Sequence, residues 1–595
     1  MILSKTKIDG IDPDLLLDEY IQQKKLNQVL IIVPTNRKIR YLKRELITAS
    51  PNKAVSRMHL YTLSTYSSKL FFENDLKRNK ILGEASGAVL LNKAFTETDL
   101  KYFSSYIDGI PRGTLDRIKN VINKYKLNGV KPEQLIQESL KLSGSEKMKA
   151  VDIANVYSKY LELCVSLNVY EDGDVYSGLL KFDSNKFAER FRTCFPEVNL
   201  VMVNGFDEFT IPEIEIINYT TNIKDLKLYV LFDYYNYNPS LFSHLDECYK
   251  NFSARGFFEI KDTSQTGFTF FRQGLREKLF TLNDTNQNIK SEIEVIKITG
   301  QTPEDEITLI AKEIKSLILN HKADVGSIAV AFNLISDHSD LIRDVFTRYG
   351  IPFNLTDRFS LSESQPVIAL INLLEISENN YYYKNIFRAL TGRWIKKGEI
   401  DVSNLLRVSS NLKIISGYNN WIDLIDRALE EIKLSEEDDE NNFLPAGFYT
   451  KAKKDIEKIY ELVKTFRDKK TISEFKSDIK QLVFDLGIPE RLVNDHPGSV
   501  EKNVKAVTTL LQTSDELFGL LSQELGDSKK YPLGFFISQL KTALQFTRYN
   551  VKERHSSGVL VTSVNELRGL YFDNVFIGGM VDGEFPTRYQ PEIFF

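Results

Sequence analysis

Cysteine is scarce in this chain of 595 residues: Cys164, Cys194 and Cys248 are the only three. They are too few and too far apart to build a disulfide framework or a four-thiolate metal or iron–sulfur site, which fits a reducing, cytoplasmic setting. Histidine is equally sparse. His59, His244, His321, His338, His496 and His555 show no H-x-x-x-H or comparable ligand spacing, so surface and capping roles account for them and no metal site is expected. Long apolar runs are missing too. No stretch approaches about 18 uninterrupted apolar residues, and MILSKTKIDGIDPD carries no apolar h-region, so neither a membrane partner nor secretory export is expected.

Excess charge is lacking as well. With 77 Lys+Arg against 81 Asp+Glu the formal balance is −4, so the chain is no polycation and any basic surface must be local. A phosphate-cradling G-x-x-x-x-G-K-[ST] does not occur, and the place where one would stand reads VPTNRK. The run Val201-Met202-Val203 ends in Asn204 where a Mg²⁺-holding acid would follow, with Asp207 and Glu208 displaced beyond a Gly-Phe turn. ATP binding and hydrolysis are therefore not expected. An acid followed by E-x-K would mark a restriction-type nuclease; Glu259-Ile260-Lys261 and Glu313-Ile314-Lys315 fit the tripeptide, but it is common by chance.

What is present is the composition of a globular protein, 42% hydrophobic and 27% charged. At roughly 150 residues per domain the length argues for about four folding units. Val29 to Val33 (VLIIV) is a β-branched run of the kind buried on both faces of a parallel sheet, and Pro34, Thr35 and Asn36 then lead into a helix with Ile39, Leu42 and Leu46 on one face. Leu200 to Val203 starts a second strand–turn–helix unit, and LKLYVLF (226 to 232) follows it. Residues 80 to 190 read as helical. Strands are expected again at Glu294 to Ile298 and Ser327 to Phe332, with an amphipathic helix from Pro303 to Leu319 between them. Residues 366 to 552 read as mostly helical around the acidic SEEDDENN (435 to 442), and strands at 558 to 562 and 574 to 577 close the pattern. The fold class is α/β, two parallel-sheet lobes each carrying a large helical insertion.

One constellation suits a phosphate backbone. Arg37, Arg40 and Arg44 follow i, i+3, i+7 spacing and form one cationic ridge, while Thr35 and Asn36 sit at that helix's N-terminus, where free N–H groups favour an anion. Arg57, His59 and Thr62 in SRMHLYTLSTY make a second polar loop after an expected strand. A solvated basic face is the alternative for the ridge.

The ordered motifs resemble a known family. VLIIVPTNRKIRYLKREL looks like the first-lobe DNA-contact segment of AddB/RexB-type proteins, a subunit of bacterial AddAB-type helicase–nucleases with a superfamily 1 helicase shape. VMVNGFDEFTIPEIEII is similar to that family's segment after its second-motif strand. PEDEITLIAKEI, GSIAVAF and RYGIPFNL resemble the start of its second lobe, and GVLVTSVNELRGLYFDNVFIGGMVDGEFP its late helicase motif.

The resemblance implies two RecA-like lobes. Residues 1–80 and 190–290 would form the first and 291–365 with 556–595 an incomplete second, with helical insertions at 81–189 and 366–555. It implies a catalytically inactive, helicase-like DNA-binding scaffold in double-strand-break processing. DNA, single-stranded or a duplex end, and an AddA-like helicase–nuclease subunit are the implied partners. Thr35, Asn36 and Arg37, backed by Arg57 and Thr62, would meet phosphate from the first lobe; Thr562, Ser563 and Arg568 would do so from the second. For Arg568 a salt bridge to Glu566 or Asp573 is the alternative. The family's C-terminal restriction-like nuclease domain, with its Mg²⁺ and iron–sulfur cluster, matches no segment here, so the chain reads as cut before it at PEIFF. Two rival readings stay open: an exonuclease subunit whose PD-(D/E)xK domain lies beyond Phe595, and a protein-interaction scaffold that binds no DNA.

Overall fold

A computed structural model describes residues 1–73, 81–106, 110–264, 270–281, 295–392, 394–395, 400–434, 444–494, 497–551 and 558–588. The acidic run 435–442, His496, His555 and PEIFF lie outside the described residues. Two sheets organise the chain.

The first has six strands: β1 (Ile2–Ser4), β2 (Val29–Val33), β3 (His59–Thr62), β4 (Leu200–Phe206), β5 (Lys227–Phe232) and β6 (Phe258–Ile260), in the order β3-β2-β4-β5-β1-β6. β2, β3, β4 and β5 run parallel, whereas β1 lies antiparallel to both β5 and β6. All five residues of VLIIV are buried, as a strand covered on both faces requires. Leu30 and Ile32 meet Tyr66, Phe191 and Phe195 on one face, and Val29, Ile31 and Val33 meet Ile21 and Leu46 on the other. The helices that position the site are α1 (Pro13–Gln22), α2 (Asn36–Ala49) and α3 (Leu63–Phe72).

The second sheet holds β7 (Ile328–Phe332), β8 (Phe353–Leu355), β11 (Val559–Ser563) and β12 (Asn574–Gly578), all parallel, in the order β12-β7-β11-β8. A two-residue ladder joins β9 (Phe359–Ser360) to β10 (Arg548–Tyr549). The expected strand at 294 to 298 does not form: Glu294 is outside the described residues, and Val295 to Ile298 are coil, with Val295 and Ile296 exposed. An apolar run without a ladder partner satisfies neither its backbone groups nor its side chains by extending.

Each sheet carries helices over it, the first through a run from Glu84 to Cys194 and the second through a run from Gln365 to Phe546. In the first run, Lys126 Nζ lies 2.6 Å from both Glu171 and Asp174, and Tyr160 donates to Glu171 at 2.8 Å, so the buried Lys126 charge is paired. In the second, Trp421 is fully buried and its indole N–H donates to the Tyr381 carbonyl at 3.1 Å. Among the described residues no helix is long and apolar enough to cross a membrane.

Trp421 combines a large buried volume with a buried donor. Trp421→Ala is expected to cost about 3–5 kcal/mol, and Trp421→Phe about 1–3 kcal/mol through the carbonyl it orphans. Urea unfolding of the two variants checks the order; equal losses would show that the remaining ring volume contributes nothing beyond the hydrogen bond, which both variants lose.

Candidate nucleic-acid interface between the lobes

The parallel strands of the first sheet end at one edge, and their exits are polar. β2 stops at Val33 before Pro34, and Thr35 caps α2 by accepting from the Lys38 N–H at 3.2 Å. β3 stops at Thr62, which caps α3 in a reciprocal pair with Thr65: Thr62 Oγ1 accepts from the Thr65 N–H at 3.2 Å, and the Thr62 N–H donates back at 2.9 Å. Across from them, β8 leads into Thr356 and Arg358, and β11 leads into Glu566 and Leu570. Together these segments enclose a cavity of about 1000 Å³.

Six residues singled out from sequence line it: Thr35, Asn36, Arg37, Arg40, Arg44 and Thr62. The other four do not. The expected polar loop is a strand for most of its length: His59 and Thr62 begin and end β3, and Arg57 is exposed in the coil before it. Ser563 is half-buried at the end of β11. Thr562 is completely buried; it accepts from Thr356 at 2.9 Å and donates to Glu566 at 3.1 Å, so it orients a carboxylate and cannot meet a phosphate. Arg568 pairs neither with Glu566 nor with Asp573. Its Nη1 reaches across to Asp207 of the first lobe, and its Nη2 donates to Asn565 at 3.0 Å.

Across from α2, the polar lining that sequence reasoning missed is Asn354, Thr356, Arg358 and Asn550. A polar N-x-T-x-R run that begins within the short strand β8 is the signal that could have found three of them. The lining carboxylates are Glu213 and Glu566. Burial raises the Glu213 pKa above the ordinary carboxylate value, although it also accepts from the Thr210 N–H at 2.8 Å.

Beside the cavity the lobes are fastened together. Arg37 Nη2 meets Glu566 Oε2 at 2.9 Å, and the Arg568–Asp207 pair runs in the opposite direction. Between them Lys38, only 3% exposed, donates to the Gly569 carbonyl at 2.6 Å and to Asn204 Oδ1 at 3.3 Å. Gly205 (φ +88°) and Gly569 (φ +66°) close over its ammonium: a Cβ on either would lie 2.8 Å or 2.6 Å from Lys38 Nζ. Both are left-handed, so glycine is required by conformation as well as by space. Among the described residues no carboxylate pairs with the buried ammonium, and burial lowers its pKa to about 8. Burial lowers the Arg37 pKa also, against the pull of Glu566, and Arg37 Nε is buried without a hydrogen-bond partner.

Among the described residues no group of three or more His, Cys, Asp or Glu is placed to hold a metal. The arrangement can instead grip an extended anion, with guanidinium groups from both lobes and hydroxyl and amide groups between them.

Comparison with known proteins agrees in outline. The family described as "ADDB, N-terminal" matches residues 16–253, and the "UvrD-like helicase C-terminal domain" family matches residues 253–593. The B-subunit of the ATP-dependent helicase/deoxyribonuclease of Clostridium tetani is 20% identical over 607 residues, 95% of this chain and 51% of that protein. Its counterpart in Clostridium kluyveri is 19% identical over 614 residues, 96% of this chain and 51% of that protein. That of Clostridium botulinum strain Hall is 24% identical over 313 residues, 51% of this chain and 27% of that protein. The chain thus spans about half the length, or less, of these relatives.

Lys38 should make stability depend on pH. Below about pH 8 it is charged in the folded and the unfolded chain, and the folded state bears the full desolvation cost. Between about 8 and the ordinary lysine value of 10.5 the unfolded chain binds the extra proton, so stability rises with pH. Against Lys38→Met, the wild type should therefore gain up to about 3 kcal/mol between about pH 7 and about pH 10. Melting of both proteins across that range tests it; a constant difference would mean that Lys38 does not titrate there.

Proposed function

Because the chain belongs to the family with a UvrD-like helicase C-terminal domain and is AddB-like across most of its length, we propose that it is a helicase-shaped DNA-binding scaffold. It acts in the processing of broken DNA ends, in the cytoplasm, beside an AddA-like helicase–nuclease subunit that supplies ATP-driven movement. Its own contribution is passive: it guides a single strand between its two lobes. The first lobe comprises residues 1–80 and 190–290, the second 291–365 and 556–595, and the helical insertions the remainder.

The observation that carries this reading is the cavity, where Arg37, Arg40, Arg44 and Arg358 converge from both lobes with Asn36, Asn354, Thr356 and Asn550 around them. Phosphates are met by guanidinium and amide groups, and such contacts fix register without reading sequence. A net charge of −4 is no obstacle, because screening confines each contact to within about 8–10 Å. Lack of ATP turnover is part of the reading. It is supported by the missing phosphate loop, with VPTNRK at the exit of β2, and by Asn204 in place of an acid.

Fluorescence anisotropy of labelled oligo-dT, titrated with the chain at several salt concentrations, tests the proposal. Binding should weaken steeply with salt, and Arg40→Ala and Arg358→Ala should each weaken it and lower the salt slope by roughly one phosphate's share. Affinity that is negligible at low salt would leave the protein-interaction scaffold as the better reading, and measurable ATP turnover would overturn the inactivity.

A further inference from the structure

The lobes and their helical runs meet at two junctions of opposite chemistry. One is apolar: Leu520 and Phe546, from the helices of the second sheet, are buried in a cluster with Leu90, Ala94 and Phe95 from those of the first. Glu516 ties its rim by accepting from the Gly83 N–H at 3.1 Å and from Ser86 at 2.8 Å. The other junction is the polar fastening of Arg37 to Glu566, Arg568 to Asp207 and Lys38 to the Gly569 carbonyl. An apolar contact has no competitor in water, whereas a carboxylate that neutralises an arginine can be replaced by any better-placed anion.

Glu566 stands where a phosphate would have to sit: it lines the cavity and holds Arg37, a residue assigned above to the DNA backbone. Asp207 holds Arg568 beside the cavity, the arginine that becomes free to meet an entering strand when the lobes part. The Arg37–Glu566 pair is also incomplete. Only Nη2 is engaged, and the buried Nε has no partner, whereas a phosphodiester can accept from Nε and Nη2 together. Glu566 in turn holds Thr562, which holds Thr356, so its release alters the second-lobe side of the same cavity.

Resting on the DNA-binding reading, we infer that Glu566 and Asp207 are internal competitors of the DNA backbone. In the closed molecule they neutralise Arg37 and Arg568. Entry of a single strand exchanges these carboxylates for phosphates and separates the lobes at the polar junction, while the apolar junction serves as the pivot. Opening of the lobes and loading of the strand are then one event, with affinity set partly by how well the protein's own acids hold its own arginines.

The test uses the isosteric pair Glu566→Gln and Asp207→Asn, singly and together, in the full chain. Oligo-dT affinity should rise by about tenfold in the double variant, through removal of the competitors alone. Spin labels at Lys53→Cys and Lys322→Cys, both exposed, report the distance between lobes, and native Cys164, Cys194 and Cys248 are buried away from labelling. That distance should lengthen in the double variant without DNA and in the otherwise unsubstituted chain with oligo-dT. Unchanged or weaker affinity in a folded double variant that binds DNA, or an unchanged distance in both settings, overturns the inference and leaves the DNA-binding reading standing. Absence of binding by every version overturns both.

Discussion

A buried lysine, bonded to a carbonyl and an amide, holds the two lobes at their closest approach. Lys38 lies under the backbones of Gly205 and Gly569, and a Cβ on Gly569 would come within 3.3 Å of the Gly205 Cα, so main chain meets main chain there. Everything around the cleft is set by that approach. It brings Glu566 within reach of Arg37 and Asp207 within reach of Arg568, two pairs made between segments remote in sequence. Burying an ammonium with only a carbonyl and an amide as partners is costly, and the fold retains it where a methylene stem and a hydrogen-bonding tip can do two jobs. The stem fills the gap between two glycines, and the tip satisfies the carbonyl that the Gly569 turn leaves free.

The same geometry explains how a chain with a small net negative charge can offer a cationic channel. Arg40 and Arg44 continue along α2 away from the fastening, and Arg358 approaches from the other lobe, so positive charge is concentrated on one enclosed surface. Enclosure matters as much as count. In a cleft walled by low-dielectric protein each guanidinium acts over a shorter, less screened path than it would on an open face. The acids in this channel are not bystanders: burial raises the Glu213 pKa, while Glu566 is spent on Arg37.

Much of the fold was legible because buried parallel strands leave a strong mark. VLIIV and IAVAF are apolar at every position since both faces are covered, and each is followed by a helix with its own stripe. β1 was not legible. Three residues bear no period, and nothing in Ile-Leu-Ser says that they pair antiparallel to β5 and β6. At the site, the cap at Thr35 and the arginine ridge could be read from local spacing. Lys38 could not, because in TNRKIR it looks like one more cation of the ridge. Its burial is decided by Gly205 and Gly569, and its two acceptors lie 166 and 531 residues away. Arg568 is illegible for the same reason: local spacing points to Glu566 or Asp573, and its partner stands in the other lobe.

The way β2 leaves the first sheet bears on what this cleft is for. A phosphate-cradling loop needs a strand whose carboxyl end reaches the cleft edge and turns there into a helix, so that consecutive N–H groups and the helix dipole face one point. β2 ends at that edge and turns there into α2, but through Pro34, Thr35 and Asn36 and not through a glycine-rich run. At the neighbouring exit Asn204 offers an uncharged oxygen, and Lys38 uses it. Where a nucleotide site would set a phosphate nest and an acid, this chain sets an ammonium and an amide bound to the opposite lobe. Opening of the cleft by a ligand strand, as proposed, has to release that ammonium from the Gly569 carbonyl as well as the two arginines from their acids.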